Sequence, residues 1–130
     1  MRRQEVTQAI IECLKKAVPE VPWGVRITGA NRSKVVEGSV TCDRVSFEYD
    51  SKDSLVAKAT YHIYIIDPNS TENVDALGDK VFFALNNDDL DGVVICGDVT
   101  NITYGSAPGI AGSGVVLLNY SVEYYENQGG

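Results

Sequence analysis

Val116, Leu118, Tyr120, Val122 and Tyr124 occupy every second position of one stretch, with Leu117, Asn119, Ser121 and Glu123 between them. Successive side chains of a strand point to opposite faces, so this alternation commits residues 114–125 to a strand with one buried side. A second stretch of the same period, residues 55–66, puts Ala57, Ala59, Tyr61, Ile63 and Ile65 on one face. At its far end Tyr64 and Ile66 make the other face apolar as well, which predicts cover on both sides there. Two such strands require a sheet, and the sheet requires a layer against its apolar face.

Two segments of helical period supply that layer. Val6, Ala9, Ile10, Cys13, Leu14 and Ala17 form one stripe of a 3.6-residue repeat, ended by Pro19 and Pro22. Glu12 is placed to pair with Lys16 on the outer side. Val74, Leu77, Gly78, Val81, Phe82 and Leu85 repeat the spacing, after N-cap candidates at 71–73 and with Glu72 and Asp75 near the positive helix end. Gly78 lies on the buried stripe, where it would permit a neighbouring backbone to approach. Phe83 projects away from the stripe onto the polar side, and Ile11 also lies off its stripe.

The remaining chain reads as strands and turns. An extended piece runs from Trp23 to Thr28, and an arm from Lys34 to Thr41. A strand with one buried face follows at Val45–Tyr49, then a hairpin turn at Asp50–Asp53. A short buried strand is expected at Val93–Cys96 and another at Val99–Tyr104. Residues 105–114 carry no charge and hold Gly105, Pro108, Gly109, Ile110 and Gly112, which predicts a long flexible loop. The expected fold class is α+β: two amphipathic helices packed on a mostly antiparallel β-sheet with a long β-hairpin. One domain spans residues 1–130, with 126–130 as a frayed tail.

Charge divides along the chain. Residues 1–60 hold ten Lys/Arg and eight Asp/Glu, whereas residues 61–130 hold Lys80 alone against ten acids, for a net −7 overall. An acidic half with one lysine disfavours binding to a phosphate backbone, so no sequence-specific nucleic-acid binding is expected. No apolar run approaches the ~18–20 residues of a membrane-spanning helix, and the amphipathic start is unlike a secretory signal. Cys13, Cys42 and Cys96 are odd in number and contain no Cys-x-x-Cys pair, which points to free thiols in a reducing compartment rather than a disulfide framework or zinc site.

Catalytic constellations are thin. His62 is the single histidine and sits in mid-strand; no Gly-x-Ser-x-Gly elbow or phosphate-binding Gly-rich loop accompanies it. The expectation is therefore no enzyme and no cofactor. One weak metal pattern exists: Asn87, Asp89, Asp91 and Asp98 fall at positions one, three, five and twelve of a calcium loop, with Gly92 sixth. An Asn in first place and a following strand instead of a helix count against it. The bland alternative is an acidic turn in which Gly92 supplies a positive φ, and no metal is expected.

The layout as a whole resembles the tail terminator (tail completion) proteins of long-tailed bacteriophages. The resemblance lies in the amphipathic helix at 6–16 closed by Val18-Pro19, the long strand at 61–66, the helix with Val74-Asp75-Ala76-Leu77 and Phe82-Phe83-Ala84-Leu85, and the final strand at 117–124. It is a pattern of elements and apolar spacing over nearly the whole chain, without an invariant motif, and it does not account for the 105–114 loop. It implies a structural virion protein whose subunits close into a ring, usually a hexamer, that caps the tail tube and joins it to the head. Its implied partners are further copies of itself, the tail tube protein and the head-tail connector protein, with no membrane. Its implied location is the virion tail, assembled in the host cytoplasm. Ile11, Ile66 and Phe83 are then the candidate subunit-interface residues, and the 105–114 loop a flexible assembly loop. The competing reading is a non-viral α+β module that binds a protein or small ligand without catalysis.

Overall fold

A computed structural model describes residues 1–25, 36–106 and 112–127. The elements run α1 (Arg3–Ala17), β1 (Trp23–Gly24), β2 (Glu37–Tyr49), β3 (Leu55–Asp67), α2 (Thr71–Leu85), β4 (Cys96–Gly105) and β5 (Gly114–Asn127). The strands form one mixed sheet in the order β1-β2-β3-β5-β4. Trp23 and Gly24 pair in parallel with Gly38 and Ser39, while every other neighbouring pair of described strands is antiparallel. The fold is α+β.

The two alternating stretches found in the sequence are the centre of the sheet. Ala57, Ala59, Tyr61, Ile63 and Ile65 of β3 lie beside Tyr124, Val122, Tyr120, Leu118 and Val116 of β5, and all ten are buried. Both helices pack on this face: α2 against β5, β3 and β4, and α1 against α2, β2 and β1. Burying a Leu- or Ile-sized side chain stabilises by about 1.5–3 kcal/mol relative to leaving it exposed. The shared face is thus the main source of stability.

Local chemistry sets the start of α2. Its N-cap is Ser70, one residue before the stretch expected from the sequence, and Ser70 Oγ accepts from the Asn73 N–H at 3.1 Å. The carboxylate of Asp67, buried at the end of β3, accepts from the Asn69 N–H at 2.8 Å and from Asn73 Nδ2 at 2.7 Å. One acid therefore turns the chain out of the sheet and holds the first helical turn. Gly78 does meet β5 closely, but through the Val116 side chain, whose Cγ2 would stand 3.2 Å from an added Cβ, rather than through a backbone.

Four local expectations change. The arm and the strand at 45–49 are one strand, β2, with an irregularity between Cys42 and Arg44. The polar run Thr41–Arg44 breaks the alternation there because Asp43 is an extra, bulged residue. Val93–Val94 is turn rather than strand, since Leu90, Asp91 and Gly92 all adopt positive φ (53°, 58° and 85°) and wind the chain before β4 begins at Cys96. The α1 stripe is also rotated: Val6, Ile10, Ile11 and Leu14 are buried, while Ala17 is exposed. Finally, Glu12 faces Lys15 at 3.8 Å instead of Lys16.

Candidate assembly surfaces

With both helices on one side, the other face of the sheet is left without a described helix or strand against it. Lys58, Thr60, His62 and Tyr64 of β3 and Leu117, Asn119, Ser121 and Glu123 of β5 alternate onto that face and are half-buried or exposed. Lys58 Nζ lies between two acids there, 3.3 Å from Glu48 and 3.6 Å from Glu123. His62 stands beside Thr41 on one side and Asn119 on the other.

The three interface candidates fare differently. Phe83 is 81% exposed, and its ring meets Phe82 edge-on at 5.3 Å between centroids. Phe82 is partly buried against the core, so the exposed ring is backed by a fixed partner. Ile11 is a correction: it is 5% exposed and belongs to the core. The reason is that α1 is enclosed by α2 on one flank and by β1 and β2 on the other, so its buried arc is wider than a single stripe. Ile66 is also buried, 8% exposed, but on the face of β3 away from the helices and outside the core cluster, set between Glu37 and Val115. Neither side chain is accessible as an anchor for another copy.

The surface residues that the sequence did not announce are aromatics near the sheet edges. Phe47 and Tyr49 of β2 are 45% and 71% exposed, and Tyr104 of β4 is 51% exposed. All three alternate onto the helix side of the sheet, level with buried or half-buried neighbours on the inner strands. Alternation assigned Phe47 and Tyr49 to one face of their strand, while Tyr104 was given a strand and no face. It could not tell that the helices stop short of them.

The 105–114 loop is described at its ends. Gly105 closes β4, Gly112 has φ 78°, Ser113 is buried and Gly114 opens β5. Pro108, Gly109 and Ile110 lie outside the described residues. The weak calcium pattern is not assembled: Asn87 gives its N–H to the Gly97 carbonyl at 2.9 Å, the Asp89 carbonyl accepts from the Gly92 and Val94 N–H groups, and Asp98 is on β4. Among the described residues no three acid, cysteine or histidine side chains come close enough to hold a metal ion. Gly92 takes the positive φ that an acidic turn requires.

Burial sets the protonation of the thiols and the core phenols. It pushes the Cys13, Cys42 and Cys96 thiols above their ordinary value, which keeps them protonated and poorly nucleophilic. Burial also raises Tyr61 to about 12, although its hydroxyl shares a hydrogen with Thr7 Oγ1 at 2.7 Å. Tyr120 is raised for the same reason, with Asp88 adding to it.

No family model and no curated protein sequence matches this chain. Among solved structures, a chain from the virion of a native gene transfer agent (GTA) particle superposes over 96% of this chain and 95% of that one, with a TM-score of 0.63 and 14% identity. The likeness is one of fold. It extends from end to end of both chains, so neither carries a large addition to the shared architecture.

Proposed function

We propose that the chain is a structural subunit of a phage-type virion and, more specifically, a tail terminator: a ring of copies that caps the tail tube and presents a surface to the head connector. The observation that carries this reading is the near full-length fold likeness to a virion chain. It agrees with the element pattern that resembles tail terminators in the sequence. The exposed Phe83, backed by Phe82, and the exposed edge aromatics supply the apolar surface that such a subunit needs for its neighbours. Repeated copies, the tail tube protein and the connector protein are its partners, and the tail of the virion is its location.

The test uses tail tubes growing in vitro. Added protein is expected to stop elongation at a defined stage and to sit, as a ring, on tube ends in electron micrographs. Tubes that reach the same lengths with and without the protein, and ends that stay bare, would refute the terminator role. A ring found elsewhere in the particle would leave it a virion protein of another kind.

A further inference from the structure

The two outer strands of the sheet are incomplete in complementary ways. Along β2, β1 pairs only with Gly38 and Ser39, and Thr41 Oγ1 donates to the Val25 carbonyl at 3.1 Å. From residue 43 to residue 49, no described strand lies along the outer side of β2. On β4, the outer side is closed near its start, where the Asn87 N–H donates to the Gly97 carbonyl and Asn86 Oδ1 accepts from the Val99 N–H at 3.0 Å. From residue 100 to residue 105, no described strand pairs with it. Among the described residues, about three alternate residues along each stretch turn their backbone N–H and C=O outward with no described strand against them.

We infer that these edges join head to tail: residues 100–105 of β4 in one copy pair with residues 43–49 of β2 in the next, extending the sheet from copy to copy. This rests on the self-assembly in the proposed function, and not on the tube or the connector.

Four features select a second copy as the occupant. The first is direction. β2, β3, β5 and β4 alternate, so β4 runs antiparallel to β2. A second copy placed beside the first in the same orientation therefore offers β2 in the antiparallel sense, which gives the more favourable ladder. The second is facing. Val45 and Phe47 stand on the helix side beside Ala59 and Ala57, and Ile102 and Tyr104 stand on that same side beside Leu118 and Val116. In the joined sheet the exposed Phe47 and Tyr104 become diagonal neighbours on one face, with Tyr49 further along the same edge.

The third is charge. Residues 43–49 of β2 carry Asp43, Arg44 and Glu48, whereas residues 100–105 of β4 carry no charged side chain, so the two edges meet without like-charge repulsion. The fourth is position along the strands. Phe47 is level with Ala57 of β3, and Tyr104, through Val116, is level with Ile65. The two open stretches thus sit at opposite ends of the sheet. Joining them staggers successive copies by roughly 20 Å along the strands, and a stagger of this kind is what a sheet needs to tilt and close on itself. The contact uses two different patches, as a ring by rotation requires.

The experiment is cross-linking in a chain whose Cys13, Cys42 and Cys96 are replaced by Ala or Ser. Phe47→Cys protein is mixed with Tyr104→Cys protein at high concentration and treated with a short bis-maleimide. The expected product is the mixed dimer, and the chain carrying both substitutions should give a ladder of multimers. In the unmodified cysteine background, Phe47→Lys or Tyr104→Lys should raise the concentration needed for assembly roughly ten-fold or more, with the circular dichroism spectrum unchanged. Cross-links only between like residues, or rings seen by microscopy with no 47-to-104 product and no effect of the lysines, would overturn edge pairing and leave the proposed function standing. A chain that stays monomeric at all concentrations and on tail tubes would remove both.

Discussion

The guanidinium of Arg2 donates to the main-chain carbonyl of Tyr125 at 2.6 Å, joining the first turn of the chain to its last strand. The same side chain reaches the Val93 carbonyl at 3.3 Å and Glu5 at 3.0 Å, and the Arg2 N–H is held by both carboxylate oxygens of Glu126 at 3.1 Å. One residue thus fastens α1, the turn before β4 and the end of β5. Arg2→Ala is expected to lower stability by about 1–3 kcal/mol, the range for hydrogen bonds to a charged group with partners left unpaired. Arg2→Lys should recover little, because an ammonium cannot span partners in several directions as the planar fork does. Urea unfolding midpoints measure both, and equal midpoints for all three proteins would rule the fastening out.

Gly114 is a second point where distant parts meet. An added Cβ would stand 2.7 Å from Thr71 Cα and 2.8 Å from the Ser70 carbonyl oxygen, both of them backbone at the start of α2. A side-chain tip could rotate away, but this backbone is fixed by the Ser70 cap and the Asp67 carboxylate. Gly114→Ala is expected to cost about 1–3 kcal/mol through overpacking. Gly105→Ala, with nothing within 4 Å of its added Cβ, serves as the control and should change thermal stability far less. Similar losses at both positions would contradict the close approach.

Tyr61 predicts the response to alkali. Its phenol is pushed up to about 12 from an ordinary value of 10, chiefly by burial. The neutral form is favoured in the fold, so the folded chain holds its proton where the unfolded chain has lost it. The resulting stability is fully present below about pH 10 and falls as pH rises through about 12. Unfolding midpoints measured across that window should drop in the native protein, and drop less in Tyr61→Phe. The variant should start lower by about 0.5–1.5 kcal/mol for the lost Thr7 hydrogen bond. Parallel pH profiles for the two proteins would dismiss Tyr61 as the group responsible.

What the sequence made legible follows from how local each signal is. The faces of β3 and β5 were readable because the period of a strand is two and neither apolar run is interrupted. The boundaries of α2 were readable to within about a turn, because Pro68 and Ser70 act on their immediate neighbours. By contrast, Asp43 looked like a break because a bulge inserts one residue and shifts the alternation. Ile11 was misplaced because the width of a helix's buried arc depends on how many neighbours enclose it, which spacing along α1 does not contain. The exposure of Phe47, Tyr49 and Tyr104 depends on where the helices end above the sheet. The Arg2 contacts with Tyr125 and Glu126 span more than a hundred residues, and nothing local marks them.

Phe83 tests assembly through a surface separate from the strand edges. It is 81% exposed and contributes little to the core, so Phe83→Ala should leave the spectrum and melting temperature nearly unchanged. An exposed aromatic held edge-on by a partly buried Phe82 is already ordered, which lowers the entropic cost of placing it in a neighbour's pocket. Loss of such an anchor weakens association by about 1–3 kcal/mol. Added salt should have the smaller effect, since it screens exposed charges and leaves a buried ring contact intact. Sedimentation at rising concentration, and counting of rings on tail tubes, read the two effects side by side. Unchanged assembly of Phe83→Ala would show that this ring faces solvent in the particle. A two-fold dimer through identical Phe83 surfaces under every condition would be incompatible with a head-to-tail ring, because a closed ring needs two different patches on each copy.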